Sequence, residues 1–168
     1  MKKTHVHIIK MGGTIEFIDP AYDDFNKKLF KLDVTIDSYL HNLIQPHFNF
    51  SSEPIAEKDS REITDTDREK LVKAILSSPH QNILILHGTF TMQLTAKFIE
   101  KQNISNKKII LTGSMVPIIG FVASDAGFNL GYAIASFQNI EPGVYLSMNG
   151  GIFKPDEVEK NVELLRFE

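Results

Sequence analysis

The residues of this chain best placed to do chemistry sit in turns that pair a glycine with a hydroxyl. Gly12-Gly13-Thr14-Ile15, Gly88-Thr89 and Gly113-Ser114 each close a short apolar run, the clearest being Ile83-Leu84-Ile85-Leu86 and Ile109-Ile110-Leu111. Glycine lets the backbone turn sharply and leaves amide hydrogens open to a ligand. A threonine hydroxyl is a weak nucleophile by itself and needs a neighbouring base. Amides at a glycine turn can stabilise a developing oxyanion by about 3 kcal/mol. Thr14 and Thr89 are therefore candidate nucleophiles, Gly13 and Gly88 candidate oxyanion turns, and Lys107 a candidate base. Acyl transfer fits that set. Any one of these hydroxyls, taken alone, more commonly caps or stabilises a turn. Phosphate binding is the rival use, but the chain has neither Gly-x-x-x-x-Gly-Lys-Ser/Thr nor Gly-x-Gly-x-x-Gly.

Short apolar strands alternating with amphipathic helices must position these turns. His5 to Lys10 reads as a first strand, with His5 and His7 on one face packing or meeting solvent rather than binding metal. Residues 16 to 33 lack a clear period and read as a long loop or lid. Ile36, Tyr39, Leu40 and Leu43 stand at helical spacing before Gln45-Pro46, and Phe48-Asn49-Phe50 alternates like a short strand. Thr66 to Glu69 has capping-box spacing ahead of a stripe of Leu71, Val72, Ile75 and Leu76. The strand 83–86 leads into a helix over 91–99 with Leu94 and Phe98 on one face. A buried strand from Lys107 runs to the Gly113-Ser114 turn, and Ser124-Asp125 can cap a helix over roughly 126–138. Val144 to Met148 is a further strand, Asn149-Gly150 a tight turn, and Ile152-Phe153 the return. The charged tail 156–168 reads as a surface or interface segment. This alternation means βαβ units and a largely parallel sheet, on which the glycine turns converge at one edge.

Composition narrows the setting. The chain has 168 residues, 42% hydrophobic and 23% charged, enough for one full core. A net charge of −3 leaves no basic footprint for nucleic acid, and the absence of cysteine excludes disulfides, thiol catalysis and cysteine metal sites. After Met1-Lys2-Lys3 the polar His5, His7 and Lys10 interrupt any apolar leader, and no run approaches a membrane span. The expectation is a soluble cytoplasmic protein.

Taken together, these residues resemble the bacterial-type L-asparaginase/glutaminase family. Gly12-Gly13-Thr14-Ile15 looks like its first threonine motif, and His87-Gly88-Thr89-Phe90-Thr91-Met92 like its His-Gly-Thr-Asp-Thr-Met motif. Lys107, six residues before Gly113-Ser114-Met115-x-Pro117, falls where its catalytic lysine is expected. Asp59-Ser60, Ser124-Asp125 with Phe128-Asn129-Leu130, and Val144-Tyr145 with Met148-Asn149-Gly150 match further landmarks in order. The resemblance implies an α/β fold, a three-layer doubly wound mostly parallel sheet of the Rossmann-like asparaginase N-terminal kind, as a single domain over 1–168. It implies hydrolysis of a small side-chain amide to the acid and ammonia. Thr14 would be the nucleophile, with Thr89 coupled to Lys107 and activating water. Gly13, Asp59, Ser60, Gly88, Phe90 and Ser114 would line the substrate, Ser60 holding its carboxylate. No metal or organic cofactor is implied, and neither membrane nor nucleic acid; the assembly would be a homodimer or homotetramer.

The sequence departs from the family pattern in two respects. It reads as a short member without the second, smaller domain that contributes an acid to a neighbouring site. At position 90 the family has an aspartate that pairs with the lysine and holds the substrate ammonium, whereas Phe90 carries no charge. Asp59, Glu62 or Asp125 could replace that acid, the ligand could lack an ammonium, or Phe90 could wall a more apolar amide. The alternative is a binding module for an amide or amino acid that keeps the fold without turnover.

Overall fold

A parallel core of five strands follows from the buried apolar runs, since strands covered on both faces need no polar alternation. The computed structural model describes residues 4–16, 35–118 and 123–168. In chain order the elements are β1 (His5–Gly12), α1 (Ile36–Ser38, widening into a π-helical stretch over Tyr39–Ile44) and β2 (Asn49–Lys58). A 3₁₀ turn (Ser60–Glu62) leads to α2 (Asp65–Ser77), β3 (Asn82–Leu86), α3 (Met92–Glu100), β4 (Lys108–Thr112) and α4 (Ala126–Ser136). Then come β5 (Gly143–Met148), β6 (Gly151–Phe153), β7 (Lys160–Asn161) and β8 (Arg166–Phe167). The six-stranded sheet has the order β2-β1-β3-β4-β5-β6. All neighbours in it are parallel except β5 and β6, which pair through the Asn149-Gly150 turn. Asn149 (φ 53°) and Gly150 (φ 76°) both take the left-handed region that a two-residue hairpin of this type requires.

Successive strand residues point to opposite faces, so each strand feeds two cores. Ile9, Ile83, Ile85, Ile109 and Leu111 join Leu71, Ile75, Met92 and Ala96 on the α2/α3 side. Ile8, Leu84, Leu86 and Ile110 join Ile36, Leu40, Leu130 and Phe137 on the α1/α4 side. That is the expected three-layer, doubly wound arrangement. No helix among the described residues is long and apolar enough to cross a membrane.

Several local expectations change. The capping box is Thr64 with Asp67, not Thr66 with Glu69: Thr64 Oγ1 accepts from Asp67 N (3.3 Å) while Asp67 Oδ2 accepts from Thr64 N (3.0 Å). β2 runs ten residues where only Phe48 to Phe50 alternated, because an edge strand containing Pro54 buries little beyond Ala56. Leu43 is exposed, since the i→i+5 bond from Gln45 N to Leu40 O (2.8 Å) shifts the register of the buried stripe. Leu76, Leu94 and Phe128 also face solvent, α3 packing instead through Met92, Thr95, Ala96 and Ile99. From residue 17 on, the segment read as a loop or lid lies outside the described residues. The tail is not merely surface: Val158 and Phe167 are buried and β7 pairs with β8.

Candidate active site

The strand order carries a functional consequence. From β1 the chain goes to β2 on one side and then to β3 on the other, so the direction of winding reverses between β1 and β3. Open α/β sheets bind ligands at the carboxyl ends of strands flanking such a reversal. Gly13-Thr14 follows β1 there and Gly88-Thr89 follows β3. The glycines allow the turns to meet. A Cβ on Gly13, where φ is +88°, would lie 2.3 Å from Gly88 N and 2.4 Å from Gly88 Cα. A Cβ on Gly88 would lie 2.7 Å from the Ser60 Cβ, and one on Gly113 would lie 2.3 Å from the His87 carbonyl oxygen. The structure thus brings Gly13, Gly88, Ser60 and the Gly113-Ser114 turn into one cluster. Thr91 Oγ1 donates to the Ser60 carbonyl and ties the 3₁₀ turn to it.

Lys160 completes this cluster. Its Nζ donates to Thr89 Oγ1 at 2.7 Å, and the Thr89 hydroxyl also lies 3.7 Å from Met115 Sδ. Burial is the main influence lowering the Lys160 ammonium below the usual lysine range; Arg61 adds to it and Asp59 opposes it. The same ammonium stands 3.8 Å from the centroid of the Phe90 ring, with the Arg61 guanidinium 4.9 Å away. Phe90 therefore does engage the lysine, through its π face rather than through a charge. β7 is held in place by the tail around it. Gln93 Nε2 donates to the carbonyls of Pro155 (3.0 Å) and Val158, and Phe167 N donates to Asn149 Oδ1 at 3.0 Å.

Lys107 is not brought to this cluster. It precedes β4, whereas Gly113 follows it, and six residue steps at about 3.3 Å each separate the two by roughly 20 Å. Its Nζ donates instead to the carbonyls of Ser78 and His80, the latter at 2.8 Å. Spacing along a strand cannot distinguish its two ends by itself. The six-residue spacing from Lys107 to Gly113 spans β4, so the two stand at opposite ends of the sheet. The antiparallel β6 leads away from the carboxyl edge, and the bonds from Gln93 to Pro155 and Val158 hold the chain on its way back to it at Lys160, a return that no local sequence signal marks.

The acids proposed as replacements at position 90 are otherwise engaged or exposed. Asp59 forms a two-point ion pair with Arg61 (2.9 and 3.0 Å) and accepts from its backbone N at 2.8 Å, which holds its carboxyl at about 2. Asp125 accepts from Met115 N, Val116 N (2.9 Å) and Asn129 Nδ2 (3.0 Å), bracing the turn after Ser114. Glu62 is exposed. Ser114 is buried at 1% exposure, and its hydroxyl has no hydrogen-bond partner among the described residues. His5 and His7 hydrogen-bond Ser51 (3.0 and 2.8 Å), and His7 also reaches Glu53. They line the opposite end of the sheet. A groove of about 710 Å³ there includes His5, His80, Asn82 and Lys108, remote from the glycine turns. Among the described residues no group of three or more His, Cys, Asp or Glu could hold a metal ion.

Residues 5–163 match the family model described as "Asparaginase, N-terminal". The chain is 28% identical over 172 residues to a glutaminase-asparaginase of Acinetobacter glutaminasificans, covering 96% of this chain and 51% of that protein. Among solved structures it is similar to a probable cytoplasmic L-asparaginase from Campylobacter jejuni, with a TM-score of 0.79 and 28% identity over 99% of this chain and 53% of that one. The thermostable L-asparaginase of Thermococcus kodakarensis shares the fold, with a TM-score of 0.79 at 24% identity over 98% of this chain and 51% of that one. The chain spans about half the length of these relatives. Glycine turns meeting at the β1/β3 reversal and the extent of these matches lead to one conclusion: the chain belongs to the asparaginase family, through that family's N-terminal domain.

Proposed function

We propose that the chain is an amidohydrolase acting on a small linear side-chain amide, asparagine or a close relative, through a threonine nucleophile. The observation that carries this reading is the 2.7 Å contact between Lys160 Nζ and Thr89 Oγ1 at the β1/β3 reversal. A lysine whose ammonium is destabilised by burial is nearer to the neutral amine that can take a proton from a hydroxyl or a water. Thr14, on the glycine turn packed against Gly88, would attack the amide carbonyl. The carbonyl electrons move onto oxygen, and backbone N–H groups of the turns stabilise that oxyanion. As the oxyanion collapses, the C–N bond breaks, and the proton that Thr14 gives up, taken by the neutral Lys160 amine, passes to the departing nitrogen so that ammonia leaves. Water, activated by Thr89 with Lys160, then cleaves the threonine ester, giving the acid and restoring the hydroxyl. On this reading Lys160 takes the part first assigned to Lys107.

Ser60 and Ser114 would meet polar groups of the substrate; a buried hydroxyl without a partner costs about 1–3 kcal/mol and favours a ligand that supplies one. The π contact gives the Lys160 ammonium a neighbour where an aspartate is missing, which weakens the case for binding without turnover. The setting that fits is the cytoplasm, with a homodimer or homotetramer as the assembly. The test is ammonia release from asparagine, glutamine and a panel of primary amides by the wild type, Thr14→Ala and Thr89→Ala. Turnover lost in both variants with the fold retained is the expected outcome. No ammonia from any amide with the wild type overturns the proposal.

A further inference from the structure

Beneath the Gly88-Thr89 turn lies a buried chain of hydrogen bonds that the reaction above does not use. Arg68 on α2 is 8% exposed, Thr95 on α3 is fully buried, and His87 at the end of β3 is 1% exposed. Arg68 Nε donates to Thr95 Oγ1 at 3.1 Å, Thr95 Oγ1 lies 2.8 Å from His87 Nε2, and His87 Nδ1 lies 2.8 Å from the Gly88 carbonyl oxygen. The direction of the chain follows from what each group can do. A guanidinium only donates, so Thr95 Oγ1 accepts from Arg68 and its single proton is available to His87 Nε2. A carbonyl only accepts, so the His87 nitrogen facing Gly88 must carry hydrogen. The carbonyl end thus selects the neutral ring protonated at Nδ1, and the Thr95 hydroxyl can donate to the bare Nε2. The imidazolium would also satisfy Gly88, but burial, with a further push from Arg68, lowers this histidine to about 4.

The peptide plane carries this choice into the site. In a trans peptide the carbonyl and the following N–H point in opposite directions. With the Gly88 carbonyl drawn inward to His87, the N–H of Thr89 is turned away from the core, and it has no partner among the described residues. We propose that Arg68, Thr95 and His87 form a positioning relay that orients the Gly88–Thr89 peptide. Its effect is to present the Thr89 N–H as a donor to the substrate carbonyl while Lys160 holds the Thr89 hydroxyl. Asp65 Oδ1 anchors the outer end, accepting from Arg68 Nη1 at 2.7 Å. The relay rests on the amidohydrolase reading for its catalytic consequence, but not for its geometry.

The experiment compares the full chain with Thr95→Val, which keeps the shape and removes the hydroxyl, and Thr95→Ser, which restores it. Nitrogen NMR of the His87 ring in the wild type must show the proton on Nδ1; a proton on Nε2 overturns the relay without any variant. Thr95→Val should lower kcat about 10- to 100-fold with KM little changed, as expected for a misdirected oxyanion donor. It should also shift the Thr89 amide resonance, and Thr95→Ser should recover both. Unchanged kcat and an unchanged Thr89 amide in Thr95→Val overturn the proposal. If the wild type releases no ammonia from any amide, the amidohydrolase reading falls. The tautomer and the Thr89 amide shift then decide the relay separately.

Discussion

Two lysines compete for one role, and exchanging each for methionine separates them. Lys160→Met keeps an apolar stem over the Phe90 ring, now 3.8 Å from the ammonium, and removes the donor 2.7 Å from Thr89 Oγ1. If Lys160 takes the proton in the rate-determining step, general-base loss should lower kcat about 10²- to 10⁴-fold, or roughly 3–5 kcal/mol of barrier. Stability should change by less than about 1 kcal/mol, because a π contact of that order is lost along with the cost of burying a charge. Lys107→Met should do the reverse. It leaves the carbonyls of Ser78 and His80 without their shared donor, a cost of about 1–2 kcal/mol, lowering Tm by roughly 2–8 °C for a chain of this size. Its kcat should stay within about twofold of wild type. Continuous ammonia release with asparagine and glutamine gives the rates, and thermal unfolding gives Tm. If Lys107→Met abolishes turnover and Lys160→Met spares it, the assignment from the sheet's polarity is wrong.

Other consequences can be checked alongside. Gly13→Ala places a methyl 2.3 Å from Gly88 N at a φ of +88°, and should cost about 2–4 kcal/mol in denaturant unfolding. Phe90→Asp should pair with Lys160, raise its pKa, and move the rise of kcat to higher pH. It should also improve kcat/KM for asparagine over other amides; no gain would mean the site is built around the ring. His87 stays neutral in the folded state down to about 4 while an unfolded histidine binds its proton near 6.5. Between those values the unfolded chain holds the extra proton, so stability should fall on acidification by up to about 3 kcal/mol. His87→Leu should flatten that part of the pH-stability curve.

The sequence by itself determined the layered α/β fold, because runs such as Ile83 to Leu86 are apolar on every residue and only a sheet covered on both faces buries them. It also marked the glycine turns, whose chemistry is local: only glycine tolerates the positive φ and close approach at Gly13. It could not delimit β2, an edge strand with little apolar signal, nor the capping box at Thr64, whose partner is an aspartate. Tertiary structure decided which lysine meets Thr89. Lys160 lies 71 residues from Thr89 in sequence, and their contact depends on the β5–β6 hairpin, the buried Val158 and Phe167, and the bonds from Gln93. Lys107, closer in sequence, is carried to the opposite edge because a strand's two ends cannot share a side of the sheet. Tertiary structure likewise gave Phe90 a use that residue type alone denies it, since a ring binds a cation only when the fold sets one over its face.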